Sequence, residues 1–164
     1  MKEKILKPII NVEDITEYEG HEHGAFEAKY ASVGTKIGAE QLGYNITIIP
    51  SGKKSWPFHN HHVSEEMFLI LEGTGLLRFG KDEYQLKKND IIACPVGDRS
   101  VAHQIINNGD NDLKYLALGT NRPYDICEYP DSDKILSRVS SDGDSKLWNI
   151  SKGSESYDYF KDEE

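Results

Sequence analysis

The sequence of 164 residues lacks a long apolar run and has few cysteines and few basic residues. Without a stretch of about 20 apolar residues, no segment can cross a bilayer as a helix. The first residues are basic, but no apolar core with a small-residue cleavage site follows them, so no secretory signal is recognisable. We therefore expect a soluble, cytoplasmic protein with no membrane partner.

Charge and cysteine content further narrow the functional classes to which the protein can belong. A formal net charge of −9 disfavours nucleic-acid binding, because that binding needs clustered lysines and arginines to replace counterions on phosphates. A small-molecule partner is expected instead. Cys94 and Cys127 are too few and too far apart in sequence to suggest a disulfide framework, and no Cys-x-x-Cys metal or redox pair exists. We expect both to be buried thiols.

The apolar residues occur in short stretches separated by turn residues, with no sustained helical period. Glycine-containing turns such as Glu72-Gly-Thr-Gly75 supply the positive φ angles that hairpins need. This pattern predicts an all-β sandwich or barrel. Strands are predicted at residues 25–33, 40–49, 55–61, 66–71, 75–79, 83–86, 90–94, 101–107, 113–118 and 125–128.

The length fits one domain with short appendages. We predict an N-terminal arm over residues 1–24, a barrel over residues 25–139 and a polar, acidic tail over residues 140–164. A tail of this composition is typically solvated or flexible, although Trp148 and Phe160 could dock part of it on the barrel.

Three histidines and a glutamate carry the chemistry that the sequence predicts. His59 and His61 are two residues apart, so on a strand they project from the same face. Glu66 opens the next apolar strand, and His103 lies within a further apolar stretch. Three imidazoles and one carboxylate suit one divalent transition metal such as Fe, Mn, Ni or Zn, whereas Mg²⁺ and Ca²⁺ prefer oxygen ligands.

Two neighbours compete for these roles. His62 follows His61 directly and should face the other way, but a bulge in the strand would exchange the two. Glu65 follows His61 after three residues, a spacing that the ligand glutamate could also have. The six residues between Glu66 and Gly73 favour Glu66.

The spacing of these residues resembles the two sequence motifs of the cupin superfamily. In the first motif, a glycine precedes a His-x-His pair, a glutamate and a second glycine, matched here by Gly52, His59, His61, Glu66 and Gly73. In the second, a glycine precedes Pro-x-Gly, a histidine and an asparagine, matched by Asn89, Pro95, Gly97, His103 and Asn107. Asn89 replaces a glycine, and three additional residues separate Gly97 from His103.

The resemblance implies a double-stranded β-helix, a jelly-roll barrel, with one metal inside it held by His59, His61, Glu66 and His103. The segments at 58–62, 93–95, 102–107 and 124–132 are similar to small single-domain bacterial cupins of the sugar-phosphate-isomerase-like kind. The expected function is isomerisation of a sugar or sugar phosphate, with the metal as a Lewis acid. An Fe(II)-dependent dioxygenase and a non-catalytic metabolite-binding module are the alternatives, since a fold does not fix a function.

A phosphorylated substrate would need a cation near the metal. Among the basic residues considered for this role, we favour the one in the longer loop of the second motif, Arg99, and expect the others to be solvated: Lys53, Lys54, Arg78 and Arg122.

The sequence also predicts a homodimer. If Glu66 points into the barrel, Met67, Leu69 and Leu71 form an apolar patch on the outer face of the same strand. Such a patch needs a cover, either the N-terminal arm or a second chain.

Overall fold

The computed structural model describes residues 7–141 and 144–163. Over these residues the chain forms strands joined by turns, with four single-turn 3₁₀ helices and no longer helix, which confirms the all-β prediction. The strands are β1 (Glu19–His23), β2 (Phe26–Ser32), β3 (Leu42–Ile49), β4 (Asn60–His61), β5 (Glu66–Glu72), β6 (Thr74–Phe79), β7 (Asp82–Lys87), β8 (Ile91–Cys94), β9 (His103–Ile106), β10 (Leu113–Thr120), β11 (Tyr124–Tyr129), β12 (Lys134–Ser141) and β13 (Asp144–Lys152).

The strands form a six-stranded, a four-stranded and a three-stranded sheet. Their orders are β1-β2-β3-β10-β5-β8, β13-β12-β11-β4 and β7-β6-β9, and the paired strands are antiparallel. An isolated antiparallel bridge between His59 and His103 links β4 to β9, so the two smaller sheets continue one another. The predicted long strand over residues 55–61 is reduced to this bridge and the two residues of β4.

The main apolar core lies between the six-stranded and three-stranded sheets. Strand β5 shows the pattern that builds it, because Phe68 and Ile70 are buried while the alternating residues Met67, Leu69 and Leu71 are only partly covered. Glu66 begins the same inward-facing series. The other buried members come from six strands: Ile49, Leu77, Leu86, Ile92, Cys94, Ile105, Leu113 and Tyr115.

A second, smaller core lies on the outer face of the six-stranded sheet. Ile15 of the N-terminal arm packs there with Ala31, Val33 and Ile46, and Leu71 borders the cluster. The arm therefore covers part of the outer patch from which we predicted a homodimer. Met67 and Leu69 remain partly exposed, and the dimer itself stays a prediction.

The predicted arm and tail each contribute a strand. β1 pairs with β2, and β12 and β13 form a hairpin that extends the four-stranded sheet to Lys152. Every residue of β13 is exposed, so no alternation of buried and exposed positions marks it as a strand. Trp148 lies on β13, whereas Phe160 follows it and is exposed.

Two motif positions have a conformational explanation. Gly73 has φ of 83°, and a Cβ atom there would lie 2.5 Å from the carbonyl oxygen of Asp112, so only glycine fits. Asn89 has φ of 74°, and asparagine tolerates this left-handed region better than most residues. The replacement of a motif glycine by Asn89 therefore preserves the turn.

In the described part of the chain, no helix has the length and apolar character that spanning a membrane requires. Cys94 and Cys127 are both buried, free thiols, as expected.

Candidate metal centre

The four predicted ligands reach one place from two facing layers. His59 and His103 are paired by two backbone hydrogen bonds, from His59 N to His103 O at 3.1 Å and from His103 N to His59 O at 2.7 Å. His61 lies on β4, opposite Cys127 of β11. These three histidines belong to the smaller sheets, whereas Glu66 begins β5 in the six-stranded sheet.

The side chains converge on a single oxygen atom of Glu66. Its Oε2 lies 3.1 Å from His103 Nε2, 3.3 Å from His61 Nε2 and 4.0 Å from His59 Nε2. Potential ligand atoms of His59, His61 and Glu66 all lie within 4.8 Å of one another. The structure thus brings the four side chains together.

Backbone carbonyls orient two of the imidazoles. His59 Nδ1 lies 2.7 Å from the carbonyl oxygen of Pro57, and His103 Nδ1 lies 3.4 Å from that of Val101. A carbonyl oxygen only accepts, so each Nδ1 carries the proton and each Nε2 is the nitrogen that faces Glu66.

Asp125 orients the third imidazole from a fully buried position. Its Oδ2 accepts a hydrogen bond from His61 Nδ1 at 2.7 Å, and its side chain is 0% exposed. Its Oδ1 accepts from the backbone N–H groups of Val63 and Ile126 at 3.1 and 2.9 Å. Cys127 Sγ lies 3.2 Å from the same His61 Nδ1. A carboxylate behind a ligating histidine typically fixes its orientation and raises its basicity.

His61 Nε2 has an unusual environment. It is buried and, although Glu66 is close, it has no partner with hydrogen-bond geometry in the described part of the chain. A buried polar atom without a partner is costly. Together with this atom, the other two Nε2 atoms and the Glu66 oxygen form a set of three nitrogens and one oxygen that fits a divalent transition metal.

The local charges also suit metal binding. Burial, together with His103 and His61, lowers the pKa of His59 to about 4, so this imidazole is neutral at neutral pH. Burial opposes ionisation of Glu66, but the hydrogen bond with His103 and the proximity of His61 hold the pKa of its carboxyl well below the usual range. Burial also opposes the charge on His61, yet hydrogen bonds with Asp125 and Cys127 raise its pKa to about 12. A metal must therefore displace a proton from His61.

The two competing residues lie elsewhere. His62 points to the surface, where its Nε2 lies 2.8 Å from Glu128 Oε1 and its side chain is 37% exposed. Glu65 is exposed, and its backbone N–H donates to the Thr120 hydroxyl. The simple alternation along the strand therefore describes this segment better than a bulge.

The basic residue that we favoured for phosphate is engaged at the surface. Arg99 is exposed and forms ion pairs with Glu128 and Asp133. Sequence reasoning missed Arg138, whose Nη2 lies 3.8 Å from Asp125 Oδ2. It also missed Asp125 as a partner of His61, although Asp125 and Cys127 are two residues apart on a predicted strand and therefore share one face.

Two cavities open onto His59 and His61, and Trp56 borders both. The first, of about 480 Å³, is lined by Glu66 and by polar residues of the six-stranded sheet, including Glu19, Tyr30, Asn45 and Thr47. The second, of about 400 Å³, lies along the four-stranded sheet and is lined by Pro57, Cys127, Tyr129, Leu136, Arg138 and Trp148.

Comparison with known proteins identifies the architecture. Residues 45–119 match the family described as Cupin domain. An uncharacterised protein from Methanocaldococcus jannaschii is 36% identical over 83 residues, which are 51% of this chain and 56% of that protein. The chain thus spans little more than half the length of this curated relative.

Two solved structures cover nearly the whole chain. One is a provisionally named sugar phosphate isomerase from Acidithiobacillus ferrooxidans, with a TM-score of 0.80 and 27% identity over 92% of this chain and 96% of that chain. The other, a sugar phosphate isomerase of the cupin superfamily from Silicibacter pomeroyi, has a TM-score of 0.76 and 22% identity over 88% and 92% of the two chains. The second likeness is one of fold alone. The double-stranded β-helix implied by the motif spacing is confirmed.

Proposed function

We propose that the chain is a cupin and a metal-dependent isomerase of a sugar or sugar phosphate, because residues 45–119 match the Cupin domain model and a provisionally named sugar phosphate isomerase has a similar fold. His59, His61, Glu66 and His103 are the proposed ligands of one divalent transition metal. The observation that carries this assignment is the convergence of three Nε2 atoms on Glu66 Oε2, one of which, the buried His61 Nε2, has no hydrogen-bond partner among the described residues.

When bound, such an ion supplies Lewis-acid polarisation of a substrate carbonyl or hydroxyl, and four protein ligands leave coordination positions free for it. The chain's own residues do the rest. Asp125 holds the proton on His61 Nδ1, so that Nε2 faces the cluster. Phe68 packs against His103 with ring centroids 5.8 Å apart, which keeps that side of the site apolar.

The larger cavity suits the hydroxyl-bearing end of the substrate that reacts at the metal. Asn45 and Thr47 line it with groups that donate and accept hydrogen bonds, as sugar hydroxyls require. Glu19 lines the same cavity and accepts a hydrogen bond from the Tyr30 hydroxyl at 3.3 Å. Isomerisation moves a proton between neighbouring carbons, and we assign that transfer to the Glu19 carboxylate, since Glu66 is committed as a ligand.

The test combines metal analysis with isotope exchange. Purified protein is loaded with Fe, Mn, Ni or Zn in turn and incubated in D₂O with a panel of aldose and ketose phosphates. We expect about one metal per chain and deuterium at the carbon next to the carbonyl. Glu19→Gln should retain the metal and lose the exchange, while Glu22→Gln on the same strand serves as the control.

Other outcomes would redirect the assignment. Absence of metal uptake on reconstitution would overturn the proposed site. Oxygen consumption with the Fe(II) form, without exchange, would mark a dioxygenase. A ligand-induced rise in melting temperature with no product from any metal form would mark a binding module.

A further inference from the structure

Arg138 lies on the same sheet face as the candidate metal centre. In the antiparallel register, Arg138 of β12 is opposite both Asp125 of β11 and Trp148 of β13, and directly opposed residues project from one face. The Asp125 Oδ2 atom lies 2.7 Å from His61 Nδ1 and 3.8 Å from Arg138 Nη2. The guanidinium is thus a neighbour of a proposed ligand, separated from it by one carboxylate.

The donors of Arg138 are poorly used. Among the described residues, its polar contacts are 3.4 Å to the Arg122 carbonyl oxygen and 3.5 Å to the Ser64 hydroxyl, both at the weak end of hydrogen bonding, besides the 3.8 Å approach to Asp125. By contrast, Arg78 forms a two-pronged pair with Asp131 at 2.8 and 3.1 Å.

The charge of Arg138 is also weakly compensated. The Asp125 carboxylate that lies nearest is engaged by the shorter hydrogen bond from His61. The Arg138 side chain is only 28% exposed, so water does not fully solvate it. A half-buried guanidinium with free donors binds a carboxylate or phosphate group strongly, because its fork matches two oxygen atoms at once.

The cavity in front of Arg138 has room for an organic ligand. It measures about 400 Å³, and its lining includes His59 and His61 together with Tyr129 and Trp148. Tyr129 stacks on His59 with ring centroids 5.9 Å apart. Trp148 is 64% exposed, which leaves part of its aromatic ring available for contact with a ligand.

We propose that Arg138 binds the anionic end of the substrate, a phosphate or carboxylate group, in the cavity between β11, β12 and β13. The other end of the same molecule then reaches the metal centre, and its middle part contacts the aromatic walls. This inference rests on the proposed function only for the identity of the reacting end. Arg138 thereby selects small organic anions over neutral sugars.

The two tryptophans of the chain make a direct test possible. Trp56 and Trp148 are the whole tryptophan content, and both line this cavity, so intrinsic fluorescence reports on its occupancy. Inorganic phosphate and acetate are titrated at constant ionic strength, first into metal-free protein and then into metal-loaded protein. The variants are Arg138→Gln and, as a matched control, Arg122→Gln, an exposed arginine outside this cavity lining.

We expect saturable binding of at least one anion to the wild type, and a loss of at least about tenfold in affinity in Arg138→Gln. Arg122→Gln should change the affinity by less than about twofold, because exposed charges are well screened. Arg138→Lys keeps the charge but not the fork, so it should weaken binding by a smaller factor and can be read if Arg138→Gln does not fold. Tighter phosphate binding assigns a phosphate ester, and tighter acetate binding assigns a carboxylate.

Three results would overturn the proposal: no saturable anion effect in the wild type, unchanged binding in Arg138→Gln, or an equal loss in both glutamine variants. Metal content is measured on every sample. Loss of metal uptake with intact anion binding would contradict the proposed function and leave the role of Arg138 standing.

Discussion

Substitution of Asp125 by asparagine isolates the tautomer of His61 from the packing of the fold. In Asp125→Asn, Oδ1 can still accept from the backbone N–H groups of Val63 and Ile126, as it does at 3.1 and 2.9 Å. The new amide N–H₂ then faces His61 Nδ1 in place of Oδ2. A donor in that place favours the tautomer with the proton on Nε2, where the metal would bind.

The expected cost falls on metal binding. Loss of a carboxylate behind a ligating histidine typically weakens metal affinity by about 10- to 100-fold, which corresponds to about 1.4 to 2.8 kcal/mol. Folding stability should also fall in Asp125→Asn, because the buried ion pair with His61 loses its carboxylate. Asp125→Ala differs, because it leaves two backbone N–H groups without their acceptor, at about 1 to 3 kcal/mol for each buried group.

Competition against a chromogenic chelator gives the metal affinity, and thermal unfolding of the metal-free protein gives the stability. Glu128→Gln is the matched control, since Glu128 contacts the exposed His62 at 2.8 Å as Asp125 contacts His61. We expect the control to bind metal as the wild type does. If Asp125→Asn also binds metal with wild-type affinity, the tautomer argument is refuted.

Three further predictions follow from the same geometry. His61→Ala should lower metal affinity steeply while His62→Ala leaves it within about threefold in the same chelator competition, and the reverse result would restore the bulge alternative. The raised pKa of His61, about 12, means that a proton competes with the metal at neutral pH. Metal affinity should therefore keep rising above pH 7, and metal binding should release a proton. Calorimetry in buffers of different ionisation enthalpy measures that release, and a metal affinity that stays constant between about pH 7 and 8 would contradict the prediction. Burial raises the pKa of Cys94, and both Cys94 and Cys127 are buried. A thiol reagent at about pH 8 should therefore label neither cysteine in the native protein but both after unfolding, and rapid labelling of the native protein would disprove this.

The sequence alone determined which residues of each strand face inward, because that property depends on a local period of two residues. His59 and His61 share a face for this reason, and Glu66, Phe68 and Ile70 share the inward face of β5. The residue types at the turns are also set locally, because Gly73 and Asn89 each adopt a positive φ angle that few other residues tolerate. Together with the resemblance to the cupin motifs, these local rules explain why the four proposed ligands could be named from the sequence.

The sequence did not reveal β13 as a strand. All of its residues are exposed, so the burial pattern that identifies other strands is absent, and an acidic, serine-rich composition is typical of a solvated tail. Its pairing with β12 creates the wall of the second cavity, where Trp148 lies.

Only the tertiary structure decided which polar groups stand behind the ligands. Asp125 meets His61 across 64 residues of sequence, and Arg138 reaches the same carboxylate through the pairing of β11 with β12. Likewise, the sequence does not distinguish Arg99 from Arg138. In the structure, Glu128 and Asp133 form ion pairs with Arg99 and not with Arg138. Strand pairing brings residues together through hydrogen bonds between backbones, which carry no mark of the side chains they will place side by side.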